Sequence, residues 1–172
     1  MYRLRELEKK DIFAINKWRN DAQLIEKLGA PFRYINIEVD QKWYDDYMMN
    51  RSKQVRCAII DDNDYILGLV SIVGIDYINQ CAEFHIMIGD KENQGKGIGL
   101  FATNEMLKHA FLNLNLNRIE LTVLEDNIRA QALYERVGFV REGIKRKAKY
   151  KKGKFVNMYM YSILKEDYLK NH

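Results

Sequence analysis

Apolar positions along this chain recur with two different periods, and the switches between them outline a mixed fold. "YRLREL" at the N-terminus alternates as a short strand. Asp11 then offers an N-cap to a helix that places Ile12, Ile15 and Trp18 on one face. A loop around Pro31 leads to a second amphipathic helix, "NIEVDQKWYDDYMMNR". "VRCAII", the turn "DDND" and "YILGLVSIVGI" read as a hairpin. "CAEFHIMI" is a strand with two nearly apolar faces, which places it centrally in a sheet.

The second half continues in the same manner. A glycine-rich loop precedes a helix running to about Phe111, and "RIELTVL" alternates through Ile119, Leu121 and Val123. A helix from Ile128 to Val137 stops at Gly138, a good residue just past a helix end. "FVREGIKRKAKY" and "KFVNMYMYSIL" close the chain as a strand pair around "KKG". Helices among strands that are joined both by hairpins and by crossovers predict an α/β fold, its sheet partly antiparallel and partly parallel.

At 172 residues the chain is read as one domain, 1–172, long enough to bury a core. The longest uncharged apolar stretch, Ile66 to Ile75, is half of what a membrane span needs, and "MYRLRELEKKD" has no apolar signal region. A cytoplasmic location without a membrane partner is therefore expected. Cys57 and Cys81 lack the companions of a zinc site and read as packed spectators, so no metal is implied.

Charge is unevenly divided. Residues 1–93 carry 16 acidic and 13 basic side chains, whereas 94–172 carry 8 and 15, the densest basic run being Lys145 to Lys154. No aromatic-and-basic groove accompanies that run, which favours a solvated hairpin over a nucleic-acid surface.

The loop "NQGKGIG" raises the question of a phosphate. Lys96 is followed by Gly97 instead of Ser or Thr, so the pattern is not that of a nucleotide triphosphatase loop. The glycine spacing is one residue short of a dinucleotide fingerprint, and four strands precede it. Gln94-Gly95-Lys96-Gly97-Ile98-Gly99 instead resembles the acetyl-CoA diphosphate loop of the GNAT N-acetyltransferase superfamily, Gln/Arg-x-x-Gly-x-Gly/Ala. Glycine admits close backbone approach, while the helix N-terminus and Lys96 suit negative charge.

About thirty residues on, "NIRAQALYERVGF" resembles the second motif of that family, Asn-x-x-Ala-x-x-Leu-Tyr-x-x-x-Gly-Phe. Ala130, Leu133, Tyr134 and Val137 also form an ordinary core stripe, and it is the pairing of the two motifs in order that favours the functional reading. The segment from about residue 66 to 163 is similar to RimJ/RimL-type and spermidine N-acetyltransferases. The first 60 residues match these motifs less specifically.

The resemblance implies a central mixed sheet flanked by helices on both faces. Acetyl-CoA would be held at Gln94–Gly99 and by Asn127, Ala130 and Tyr134. An amine would attack the thioester directly, with an oxyanion donor in the backbone of Met87, Ile88 or Gly89. The Tyr134 hydroxyl would face the leaving sulfur.

An alkyl amine with pKa of about 10 is neutral in only roughly one molecule per thousand near pH 7, so a base is needed. Glu83 is the candidate, on the same strand face as His85 and Met87; His85 and a water molecule remain alternatives. Trp18 and Asp21, at the end of the first helix, are candidate acceptor-pocket residues, with a core anchor and a helix cap as the alternatives.

The acceptor stays open among a polyamine, a peptide N-terminus, an aminosugar nucleotide and an antibiotic. The acidic N-terminal half inclines towards a cation. A CoA-binding module without catalysis and a ribosome- or RNA-associated protein form the competing class. A homodimer is compatible with the C-terminal strand.

Overall fold

The computed structural model describes residues 1–171. Its elements in chain order are β1 (Arg3–Glu6), α1 (Ile12–Arg19), α2 (Ala22–Glu26), α3 (Ile37–Met49), β2 (Val55–Ile60), β3 (Ile66–Asp76), β4 (Cys81–Ile88), α4 (Ile98–Lys108), β5 (Arg118–Leu124), α5 (Ile128–Val137), β6 (Val140–Lys151), β7 (Lys154–Leu164) and α6 (Lys165–Asn171). The strands make one sheet in the order β1-β2-β3-β4-β5-β7-β6. β4 is the middle strand of the seven, as its two apolar faces predict. β4 and β5 are the parallel pair, joined by the crossover through α4; the other neighbours are antiparallel.

The two sheet faces carry separate cores. On one, Phe84, Ile72, Ile119 and Leu121 pack with Ile98, Ala102 and Met106 of α4 and with Tyr134 and Val137 of α5. On the other, Ala58, Ile60 and Ile66 pack with Ile12, Ile15 and Trp18 of α1 and Tyr47 of α3. The side chains of β4 alternate between these cores: Phe84 faces α5, whereas Met87 faces the α1/α3 side. No helix is long and apolar enough to cross a membrane among the described residues.

Several local expectations are corrected. Asp11 does not cap α1. A 3₁₀ turn, Lys9–Asp11, precedes the helix, and the Asp11 carboxylate reaches back to the Glu8 N–H (2.8 Å) and both amino nitrogens of Arg5 (3.0 Å each). The short α2 and the terminal α6 lie in segments too brief for a periodic signal. α4 continues into a π-turn, His109–Asn113, which carries the backbone past Phe111. The second amphipathic helix stands as expected, with Asn36 capping it through the Val39 N–H (3.0 Å). Cys57 and Cys81 are both free and partly buried.

α1 and α3 are tied by one buried carboxylate. Asp40 is fully buried, accepts a hydrogen bond from Asn16 Nδ2 at 2.8 Å and forms an ion pair with Arg19. The Lys145–Lys154 run forms most of the tip of the β6–β7 hairpin, and part of its charge is spent inside the molecule. Lys151 Nζ donates to the Ile25 carbonyl (3.0 Å) and to that of Ala30, and Lys152 pairs with Glu26.

The end of β4 is fixed by a close approach. The Trp18 ring lies over Gly89, so a Cβ there would sit 2.0 Å from Trp18 Cε2. Trp18 is only 3% exposed, which leaves the ring nowhere to retreat. Gly89→Ala is expected to lower stability by roughly 1–3 kcal/mol, the usual range for overpacking. Urea denaturation with tryptophan fluorescence measures it, and an unchanged midpoint would show that Trp18 is free to move.

Candidate active site

The site begins where the sheet comes apart. β4 and β5 are in register only at Cys81–Arg118, Ala82–Ile119 and Glu83–Glu120. Beyond that point β4 stays on β3 through Ile88 while β5 stays on β7 through Leu124. A wedge therefore opens between Phe84–Ile88 and Leu121–Leu124, with strand backbone along both walls.

The direction of the backbone groups follows from one hydrogen bond. The Gly89 N–H donates to the Leu67 carbonyl at 2.9 Å. Donors alternate along an antiparallel ladder, so Met87 and His85 also face β3, and the N–H groups of Ile86 and Ile88 point into the wedge. This corrects the expected set of oxyanion donors. Of Met87, Ile88 and Gly89, only Ile88 directs its N–H to the open side.

At the wide end of the wedge lies the glycine loop. Gly95 and Gly97 have φ of +88° and +80°, values that suit glycine. Gly97 is the N-cap of α4 and supplies no side-chain cap, and a Cβ at Gly97 would meet nothing within 4 Å. Among the described residues, the N–H groups from Gly95 to Leu100 have no protein acceptor. Bare donors, open space and a helix N-terminus together fit a diphosphate. Lys96, fully on the surface, adds charge, while Ile98 is buried and anchors the first turn, and Gly99 lets α4 approach Leu133 of α5.

Arg129 joins this loop although neither motif specifies it. Its Nη2 lies 3.2 Å from where a Cβ of Gly95 would be. A cation in the first turn of a helix opposes the helix dipole. That misplacement in "NIRAQ" is the sequence signal that an anion belongs nearby.

Tyr134 stands under the start of the wedge. Its ring packs against Phe139 (5.6 Å between centroids), Phe84 (6.3 Å) and Tyr161 (6.4 Å). The residue is 8% exposed, and burial pushes its phenol up to about 12. Its hydroxyl has no hydrogen-bond partner among the described residues, yet it is not sealed from solvent. Ala130, one turn earlier, is partly buried against the same core. Asn127 caps α5 through its Oδ1, which accepts the Ala130 N–H at 3.1 Å.

Glu83 lies on the opposite face, at the last paired position before the wedge. Its carboxylate is 44% exposed and 3.3 Å from His85 Nε2, so its neighbouring cation is a histidine, charged only when protonated. Directly across the parallel pair, Glu120 shares that face. Arg118 contacts Glu120 at 3.1 Å but gives its two-pronged contact to Glu142, at 2.8 and 2.6 Å. Glu120 went unnoticed in the sequence because it is simply the polar phase of "RIELTVL". Only strand pairing sets it beside Glu83.

The remaining candidates are placed differently. Trp18 is an interior anchor against Gly89, and the Asp21 Oδ1 caps α2 by accepting the N–H groups of Gln23 (2.9 Å) and Leu24 (3.2 Å). Both side chains meet internal requirements of the fold, in keeping with the anchor and cap readings. The structure thus brings Tyr134, Glu83, His85 and Ile88 around one opening, with Gln94–Gly99 at its far end.

Comparison with known proteins agrees with this geometry. The family model for the acetyltransferase (GNAT) domain matches residues 2–140. The spermidine N(1)-acetyltransferase of Vibrio cholerae is 31% identical over 167 residues, spanning 96% of this chain and 94% of that protein. Similarity therefore extends well into the first 60 residues, further than the motifs reach. A crystal structure of the Vibrio cholerae spermidine N-acetyltransferase in complex with CoA and spermine superposes with a TM-score of 0.92 at 30% identity, covering 98% of each chain. A dodecameric structure of that enzyme superposes with a TM-score of 0.86 at 29% identity, covering 99% of this chain and 97% of the other. With a matching family model over most of its length and a wedge bounded by an uncapped glycine loop, the chain belongs to the GNAT acetyltransferase family and is an acetyl-CoA-dependent N-acetyltransferase.

Proposed function

We propose that the acceptor is a polyamine of the spermidine class, acetylated at a primary amine beside Glu83. The observation that carries this reading is the carboxylate pair at the mouth of the wedge. Glu83 and Glu120 sit opposite each other, both substantially exposed. Arg118 offsets Glu120 but shares its charge with Glu142, and among the described residues Glu83 has only His85 beside it, so the pair still favours a further cation. An ammonium at about 4 Å from one carboxylate gains roughly 1–4 kcal/mol, depending on how much water remains. The likeness to an enzyme crystallised with CoA and spermine supports the same class.

Bound acetyl-CoA supplies an acyl thioester as the electrophile. Gln94–Gly99, Lys96 and Arg129 are the residues placed to hold its diphosphate, and the Ile86 and Ile88 N–H groups to meet an extended arm and a developing oxyanion. Glu83 draws the ammonium in and accepts its proton. Glu83 passes that proton on through His85 or water, which frees it for the next amine.

Tyr134 contributes from the other face. A thiol has pKa of about 8.5, well below the raised value of this phenol, so outright proton transfer from Tyr134 is uphill. Its favourable contribution is an O–H donated to the developing sulfur charge. Because the two side chains lie on opposite faces of the sheet, they meet only through the wedge. The exposed edge strand β6 offers a surface for self-association, which light scattering measures.

CoA release read with a thiol reagent tests the acceptor directly. Spermidine is expected to turn over well above aminosugars and peptide amines; faster turnover of those classes would overturn the assignment. Glu83→Gln should lower kcat/KM by about 10²–10⁴, the range for a lost general base, with acetyl-CoA affinity retained. Tyr134→Phe should reduce kcat and leave the acetyl-CoA Kd within about twofold, since an interaction made only in the transition state is lost. Unchanged kcat in either variant removes that residue from the chemistry.

A further inference from the structure

Arg118 is claimed by two carboxylates, and the claim is unequal. Its Nη1 and Nη2 donate to Glu142 Oε1 and Oε2 at 2.8 and 2.6 Å, whereas Nη2 alone reaches Glu120, at 3.1 Å. The backbone that carries the side chain is fixed, since Arg118 opens β5 between Cys81 of β4 and Leu164 of β7. Glu142 therefore holds the larger share of one guanidinium.

Glu142 reaches Arg118 because β6 is irregular. Val140 pairs with Ser162 and Arg141 with Tyr161, but the register then slips and Gly143 pairs with Met160, which leaves Glu142 as the extra residue of a bulge. Bulges re-aim a side chain. Here the Glu142 Oε1 also accepts the Ser162 hydroxyl at 2.7 Å, and Ser162, buried at 4% exposure, lies directly across from Glu120 on β7. Glu83, Glu120, Ser162 and Glu142 thus follow one another across β4, β5, β7 and β6. Arg118 and the Ser162 hydroxyl hold the Glu142 carboxyl down at about 2, so its charge is present at neutral pH.

We infer that Glu142 is a positioning residue for the acceptor: by drawing the Arg118 guanidinium away from Glu120, it leaves the Glu83–Glu120 pair negative enough to take up a polycationic amine. Without that competitor the guanidinium closes on Glu120 and cancels a charge that an incoming ammonium would otherwise meet. The inference rests on the acceptor reading above and names what keeps that pair open.

Glu142→Gln keeps the side-chain length and an acceptor for Ser162 while removing the charge. Spermidine KM should rise about two- to fivefold, the span of one partly exposed ion pair, with kcat and the acetyl-CoA Kd changed less than about twofold. In a Glu120→Gln background the same substitution should leave KM within about 1.5-fold, because no carboxylate remains there for Arg118 to cover. Arg118→Met should act in the opposite direction and lower KM, which damage to the sheet would not do. A crystal structure of Glu142→Gln gives a readout without substrate: Arg118 should turn its two-pronged contact to Glu120.

An unchanged KM, or an equal rise in both backgrounds, overturns the inference, the second making Glu142 only a distant charge. A KM raised in both Glu142→Gln and Arg118→Met overturns it as well, marking an ion pair that merely holds strands together. So does an Arg118 that keeps its contact with residue 142 in the substrate-free structure. Failure of spermidine to turn over in the unmodified enzyme refutes the acceptor assignment instead, and the structural comparison then decides the competition for Arg118.

Discussion

Most of this site depends on a failure of strand pairing. A parallel pair inside a sheet ordinarily satisfies every backbone group along its length, and unpaired buried groups are costly. Here β4 and β5 share three register positions and then diverge, each held straight by its antiparallel partner on the far side. The wedge is thus enforced by β3 and β7 and does not arise from slack in β4 or β5. An extended polar ligand can complete the ladder that β5 abandons. In the function proposed above, that opening receives a chain with amide groups whose reactive end comes level with Glu83 on one face and Tyr134 on the other.

This division between faces also assigns the environments. The α5 side is aromatic and largely buried, which pushes the Tyr134 phenol up to about 12. The α1/α3 side is half-open and acidic, with Glu83 and Glu120 accessible to a charged amine. The sheet itself is the partition, and the wedge is the passage through it.

Much of the fold was legible in the chain. The two apolar faces of β4, the amphipathic helix α3 and the stop of α5 at Gly138 are local signals, and each is realised locally. The glycine loop was legible for the same reason: positive φ at Gly95 and Gly97 and an uncapped helix start are properties of a few consecutive residues. Asp11, Trp18 and Asp21 were harder, because each has a local role and a tertiary one that compete. Asp11 turned to Arg5, Trp18 to Gly89, and Asp21 stayed with its own helix.

By itself, then, the sequence determined most of the elements, the glycine loop and the family resemblance, because periodicity, consecutive backbone geometry and paired motifs carry them. What only the tertiary structure decided were relations between distant residues. Strand register put Glu120 beside Glu83, ladder alternation selected Ile88 over Met87 and Gly89, and packing brought Arg129 to Gly95 and Asn127 to Lys27. Those pairings are set by how two sheet faces and their helices close on each other, and side-chain identity along the chain holds no record of that distance.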